Sequence, residues 1–179
     1  SLYNTQIVFD ADGTILVKRR KLMPTYHERM VWGWGDGSDL RVVETSVGRL
    51  GPLICWEHYM PLSRYALMAQ REEIHCSQFP GYVGRSGFAD EVEVTIRHHA
   101  LESGCFVVNS TGWLEPDQVA ELCPDPQLRE RLDPDSSFTA IVGPNGCHLA
   151  EPIRQGEGMV VADLDFQEIV RRKLRMDSV

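Results

Sequence analysis

Apolar positions open the chain as short runs, then alternate between short runs and segments of helical spacing. Thr5 to Phe9 is a short apolar strand, Asp10-Ala11-Asp12-Gly13 a turn whose Asp and Gly tolerate positive φ, and Thr14 to Lys18 the return strand of a hairpin. Met23 to Asp39, rich in Gly, Trp and Pro, reads as a long loop. Arg41 to Glu44 and Arg49 to Cys55 are two further strands, the second ending in the buried run Leu53-Ile54-Cys55. A helix follows from Pro61 to about Glu73, with Leu62, Ala66 and Ala69 on one face. Ile74 to Ser77 is a strand and Phe79 to Gly87 a glycine-containing loop. Asp90-x-x-Glu93 resembles a capping box that opens a second helix, which ends at Gly104.

Cys105 to Asn109 is again an apolar strand, and Glu115 to Pro134 a polar excursion with at most a short helix near Gln127 to Leu132. Phe138 to Val142 and His148 to Ala150 flank the turn Pro144-Asn145-Gly146. Val160 to Leu164 is expected to be a last strand. Gln167 to Met176 is expected to be a last helix, with Arg and Lys near the end where the helix dipole favours positive charge. Hairpins together with strands alternating with helices predict a mixed α/β layered domain over residues 1–179.

Composition narrows the function classes. The net charge is −8, which gives no electrostatic reason to bind nucleic acid or an anionic membrane surface; the basic cluster Lys18-Arg19-Arg20-Lys21 is local. No apolar run has the length of a membrane span. The five cysteines, Cys55, Cys76, Cys105, Cys123 and Cys147, are widely spaced and form no C-x-x-C pair, so neither a structural zinc site nor a disulfide framework is expected. Ser1-Leu2-Tyr3-Asn4 lacks the basic start and apolar core of a signal peptide. Together these predict a cytoplasmic protein with reduced thiols, of which Cys76 and Cys105 are expected to be structural. His98 and His99 are expected to be ordinary helix residues despite their adjacency.

Two segments suggest chemistry. Phe9-Asp10-Ala11-Asp12-Gly13-Thr14 resembles the nucleophile motif of haloacid-dehalogenase-type phosphatases, in which both carboxylates help hold Mg²⁺. That chemistry needs a second acidic pair after another apolar strand. The nearest candidate, Asp36 to Asp39, follows Trp32-Gly33-Trp34, so a plain hairpin turn is the expectation.

The second segment is more specific. Arg20-Lys21-Leu22-Met23-Pro24-Thr25-Tyr26-His27-Glu28-Arg29 is followed by Trp32 and Gly35-Asp36-Gly37. Next comes Gly51-Pro52-Leu53-Ile54-Cys55-Trp56-Glu57-His58-Tyr59-Met60-Pro61-Leu62. Ile74-His75-Cys76-Ser77-Gln78-Phe79-Pro80-Gly81 and Thr95-Ile96-Arg97-His98-His99-Ala100-Leu101-Glu102-Ser103-Gly104 extend the pattern. Nearly the whole chain resembles the nitrilase branch of the carbon–nitrogen hydrolase superfamily.

The resemblance implies part of a four-layer α-β-β-α sandwich and a thiol hydrolase that converts a nitrile to a carboxylic acid and ammonia. It implies Cys55 as nucleophile, Lys21 as the ammonium that stabilises developing negative charge, and Glu28 as the carboxylate that holds Lys21. The backbone N–H of Trp56 would be a second donor. Cysteine suits this role because its thiolate is the strongest side-chain nucleophile near neutral pH, and a helix start and a lysine beside Cys55 are expected to lower its pKa. No metal or cofactor is implied, and a homo-oligomer is. An amidase shares the machinery. In chain order the family's triad runs Glu-Lys-Cys, yet the first Glu here is Glu28, after Lys21. The expectation is therefore an incomplete copy lacking the N-terminal part of the domain and a C-terminal assembly tail, inactive or non-catalytic by itself. Many nitrilases carry Asn where this chain has His58.

Overall fold

The computed structural model describes residues 1–81 and 86–176, so residues 82–85 of the expected glycine loop lie outside it. The described residues form two sheets. β1 (Thr5–Phe9) and β2 (Ile15–Arg20) form an antiparallel hairpin. β3 (Val43–Thr45), β4 (Gly48–Ile54), β5 (Ile74–Phe79), β6 (Phe106–Thr111) and β7 (Ala140–Val142) form a five-stranded sheet in sequence order. Its centre, β4-β5-β6, is parallel and its outer pairs are antiparallel.

Parallel strands need crossovers, and α1 (Pro61–Ala69) and α2 (Phe88–Ser103) supply them. The apolar residues of α2 recur at helical spacing, and Phe88, Val92, Ile96 and Ala100 are buried along one stripe. They pack with Phe79, Val107, Ala140 and Val142 from the sheet into the main core. Gly104, at φ +66°, ends the helix and its N–H donates to the Ala100 carbonyl. On β5 the pleat turns His75, Ser77 and Phe79 to one face, and all three are buried. Ser77 donates to Asn109 on β6 at 2.8 Å, which satisfies two buried polar side chains at once.

Several expectations are corrected. The first helix stops at Ala69 and buries Ser63, Leu67 and Met68, whereas Leu62 is 84% exposed and Ala69 is also exposed. Pro61 at the first position sets the phase of that helix, and the fold turns a different stripe inward from the one read off the sequence. Asp90 lies inside α2 and is not its cap; Gly87, at φ +81°, opens the helix. The polar excursion holds α3 (Pro116–Leu122) and α4 (Pro126–Arg129), each begun by a proline at its first turn. Val160 to Leu164 has no strand partner among the described residues. The final helix is α5 (Gln167–Arg175), as expected. The turn at Pro144-Asn145-Gly146 is present, with Gly146 at φ +74° and a bridge from Val142 to His148.

Candidate active site

The Asp10–Thr14 segment is a hairpin turn. Asp10 N–H donates to the Thr14 carbonyl at 2.8 Å, and the Asp10 and Asp12 carboxylates accept from the N–H groups of Ala11 and Thr14. The acidic pair is used up in closing its own turn.

The other expected residues converge. β2 ends at Arg20, and Lys21 directly follows it; although a lysine, it is only 1% exposed. Its Nζ donates to Thr25 Oγ1 at 3.0 Å and to Glu28 Oε2 at 2.5 Å. Glu28 sits on a 3-10 helix, Tyr26–Met30, inside the segment expected to be an irregular loop. Its carboxylate also accepts from Thr25 N–H and from Asn4 Nδ2. Burial pushes the Glu28 carboxyl up, but the hydrogen bonds from Lys21, Thr25 and Asn4 and the Lys21 charge outweigh it, and the net shift is downward. Glu28 therefore stays ionised and fixes the ammonium in place.

Cys55 directly follows β4, which ends at Ile54, and begins a 3-10 helix, Cys55–Tyr59. Its φ of +50° is in the left-handed region, which a residue with a Cβ adopts only under constraint. On its N-terminal side the turn is tied by Glu57, whose side chain folds back to accept the Ile54 N–H at 2.8 Å. The thiol does not behave as expected. Burial pushes Cys55 up to about 11, and the Lys21 charge and the Trp56 N–H only partly offset this. The expectation of a lowered pKa is thus overturned: desolvation exceeds the help from one lysine and one short helix start.

Lys21, Glu28, Cys55 and Trp56 line one cavity of about 670 Å³, whose remaining wall is largely apolar, with Ile54, Phe79, Pro80 and Phe88. Trp56 packs edge-on against Tyr59 at 4.6 Å and lies parallel to Phe88.

Two groups of residues had escaped the sequence reading. Glu57 is buried and accepts from Arg19 at 2.8 and 2.6 Å, from Leu22 N–H at 2.7 Å and from Ile54 N–H. A glutamate two residues after a cysteine, with a basic run upstream, was the available signal. The second group is His58, Glu72, His75 and His99, all buried behind the strand-to-helix turn. His99 is therefore not an ordinary helix residue. It binds Glu72 Oε1 at 2.7 Å while His75 binds Oε2 at 2.8 Å. Three of the four, Glu72, His75 and His99, offer a metal-type donor set. Ligand atoms around a tetrahedral ion sit roughly 3.3 Å apart, given bonds of about 2.0–2.1 Å. The observed contacts are shorter, as hydrogen bonds are. This is a hydrogen-bonded network.

The sequence of residues 1–173 matches the carbon-nitrogen hydrolase family model. The chain belongs to the carbon-nitrogen hydrolase family. It is 63% identical over its whole length to a nitrilase of Paraburkholderia phymatum, covering 52% of that protein. It is 38% identical to an aliphatic nitrilase of Rhodococcus rhodochrous, covering 50%. The chain thus spans about half the length of these relatives. Among solved structures, a carbon-nitrogen hydrolase from Helicobacter pylori G27 superposes with a TM-score of 0.81 over 98% of this chain and 61% of its own, at 20% identity. A second, Saccharomyces cerevisiae Nit3 of the nitrilase superfamily, gives 0.78 over 98% of this chain and 58% of its own, at 19% identity. The fold is that of this superfamily, whose architecture is an α-β-β-α sandwich. Among the described residues no helix is long and apolar enough to cross a membrane.

Proposed function

We propose that this chain carries the nucleophile and the charge-stabilising lysine of a nitrilase, which hydrolyses a small nitrile to a carboxylic acid and ammonia. The observation that carries the reading is the convergence of a buried, carboxylate-anchored Lys21 and a left-handed Cys55 on one largely apolar cavity. The nitrilase names of the relatives from Paraburkholderia and Rhodococcus support it.

In the proposed course, Cys55 Sγ attacks the nitrile carbon while its proton passes to nitrogen, giving a thioimidate. Lys21 and the Trp56 N–H stabilise the charge that develops on that nitrogen. Water adds to the thioimidate carbon, ammonia leaves and a thioester remains. A second water releases the acid and restores the thiol. Glu28 holds Lys21 and helps to position water.

A Cys55 thiol pushed up to about 11 needs a base to attack near neutral pH. The glutamate that the family's Glu-Lys-Cys order puts ahead of the lysine has no counterpart in this sequence, where Glu28 comes first. A chemistry that depends on a free thiol suits a reducing cytoplasm.

The test is ammonia release by the full-length protein across matched nitriles and amides, beside a Cys55→Ala control. Cys55-dependent ammonia from nitriles supports the reading. Release from amides alone makes the protein an amidase, and no release from either refutes both.

A further inference from the structure

The buried imidazoles form a continuous chain that ends on the nucleophile's own backbone. His58 Nδ1 lies 2.7 Å from the Cys55 carbonyl oxygen, and His58 Nε2 lies 2.9 Å from His75 Nε2. His75 Nδ1 lies 2.8 Å from Glu72 Oε2, and His99 Nε2 lies 2.7 Å from Glu72 Oε1. His99 Nδ1 has no partner among the described residues, so the His99 proton sits on Nε2 and points at Glu72.

Counting protons along this chain decides its state. Between the Cys55 carbonyl and Glu72 Oε2 there are three hydrogen bonds, and both ends are acceptors. Three bonds need three protons, while two neutral imidazoles supply two. If Glu72 is ionised and both rings are neutral, somewhere along the chain two acceptors face each other. Exclusion from water makes such a pair costly. One additional proton completes every bond; burial favours that proton on Glu72, while the charges and hydrogen bonds of His75 and His99 pull the carboxyl the other way, down to about 2. Since the Cys55 carbonyl must accept, His58 carries its proton on Nδ1 and His75 donates from Nε2. The third proton then falls between His75 Nδ1 and Glu72 Oε2.

Burial, with His99 beside it, pushes His75 down to about 4, and the Glu72 carboxylate only partly offsets this, so the proton is held by the bond between the two side chains and not as a free charge on the ring. Arg19 from β2 and Arg64 from α1, itself paired with Glu102, oppose further positive charge on His75 and His58. The thiols of Cys76 and Cys105 are held protonated, chiefly by burial. The site is also shaped for the carboxylate: a Cβ on Gly51 would lie 1.9 Å from Glu72 Oε2, so only glycine fits on β4 there.

We propose that Glu72, His75 and His58 are positioning residues: through one proton shared between His75 and Glu72, they grip the Cys55 carbonyl and hold the nucleophile's backbone in its left-handed conformation. The inference rests on Cys55 being the nucleophile. None of the three side chains touches the cavity that Cys55 lines.

Two measurements on the full-length protein test it. Glutamine at position 72 can donate to His75 Nδ1 and accept from His99, completing the same bonds without a titratable proton. Glu72→Gln is therefore expected to fold and to keep kcat within about threefold. Glu72→Ala is expected to lose about 10²-fold in kcat with KM unchanged, the scale of a displaced reacting group. A Glu72→Gln protein that fails to fold, or falls as far as Glu72→Ala, overturns the proposal, as does a fully active Glu72→Ala. The second measurement is magnetic resonance of isotope-labelled imidazoles in the unmodified protein, which needs no activity. It is expected to find the His58 proton on Nδ1 and a His75 proton on Nε2; a His58 ring protonated only on Nε2 overturns the proposal. Absence of ammonia release from the unmodified protein counts against the nitrile reading alone, and the imidazole assignment then decides the chain's role.

Discussion

Arg19 and Glu57 form a buried ion pair in which both guanidinium Nη atoms donate to the carboxylate, at 2.8 and 2.6 Å. The same carboxylate takes the N–H of Leu22 and the N–H of Ile54. One side chain thereby joins the residue after Lys21 to the residue before Cys55, across two different sheets. The register between the ammonium and the thiol is thus set by Glu57, since among the described residues no backbone hydrogen bond joins Lys21 to β4.

Removing Glu57 should therefore destabilise the fold and disorder the site together. Glu57→Ala leaves the Arg19 guanidinium buried without its counter-charge, which costs about 3–5 kcal/mol. Two strand-end N–H groups also lose their acceptor. The expected result is a large drop in the urea midpoint of the full-length protein. A midpoint within error of the unmodified protein would show that the pair can be bypassed.

Lys21→Ala should act on chemistry more than on folding. Loss of one preorganised donor at a developing charge costs about 10²–10³ in kcat. KM should change little, because a neutral nitrile gains no charge interaction on binding. A second consequence concerns the thiol itself. Burial holds Cys55 up at about 11 and Lys21 pulls against it, so the alkylation of Cys55 by iodoacetamide should shift to still higher pH in Lys21→Ala. An unchanged alkylation profile would mean that the ammonium does not act on the thiol.

The core under the site depends on α2. Ile96 is fully buried between that helix and the sheet, so Ile96→Ala should cost about 2–5 kcal/mol, read as a lowered melting temperature of the full-length protein. A surface residue of the same helix, Val94, should tolerate alanine with a change of about 0.5 kcal/mol or less.

The sequence made the strands of the central sheet legible because β4 and β6 carry apolar runs, Leu53-Ile54 at the end of one and Phe106-Val107-Val108 at the start of the other, and β5 lies between two helices. It made Lys21, Glu28 and Cys55 legible because their spacing matches a known motif. The buried polar residues were hidden by the same rules. Glu57, Glu72 and His99 are of types found on surfaces, and only their three-dimensional partners make burial tolerable. The stripe of α1 was misread because Leu62 is apolar yet faces out, while Ser63 faces in. Val160 to Leu164 has the composition of a strand, but pairing is a property of neighbours and cannot be read from one segment. The Cys55 shift went the wrong way because motif reasoning counted the lysine and omitted the desolvation.

The Glu28 carboxylate gives a last prediction, on acid stability. Its folded pKa is lowered, since the hydrogen bonds from Lys21, Thr25 and Asn4 and the Lys21 charge exceed the effect of burial. A carboxyl with a depressed folded value contributes stability that is complete above its unfolded value and is lost as pH falls through the folded one. The unmodified protein should therefore lose stability between about pH 5 and about pH 3 more steeply than Glu28→Gln, which has no proton to take up there. At neutral pH the order should reverse in absolute terms, with Glu28→Gln the less stable, because Lys21 remains buried without a counter-charge. Denaturant midpoints of both proteins at the two pH values decide the matter. Equal slopes would mean that Glu28 is solvated well enough to titrate as a free side chain, and the anchoring of Lys21 would then have to come from Thr25.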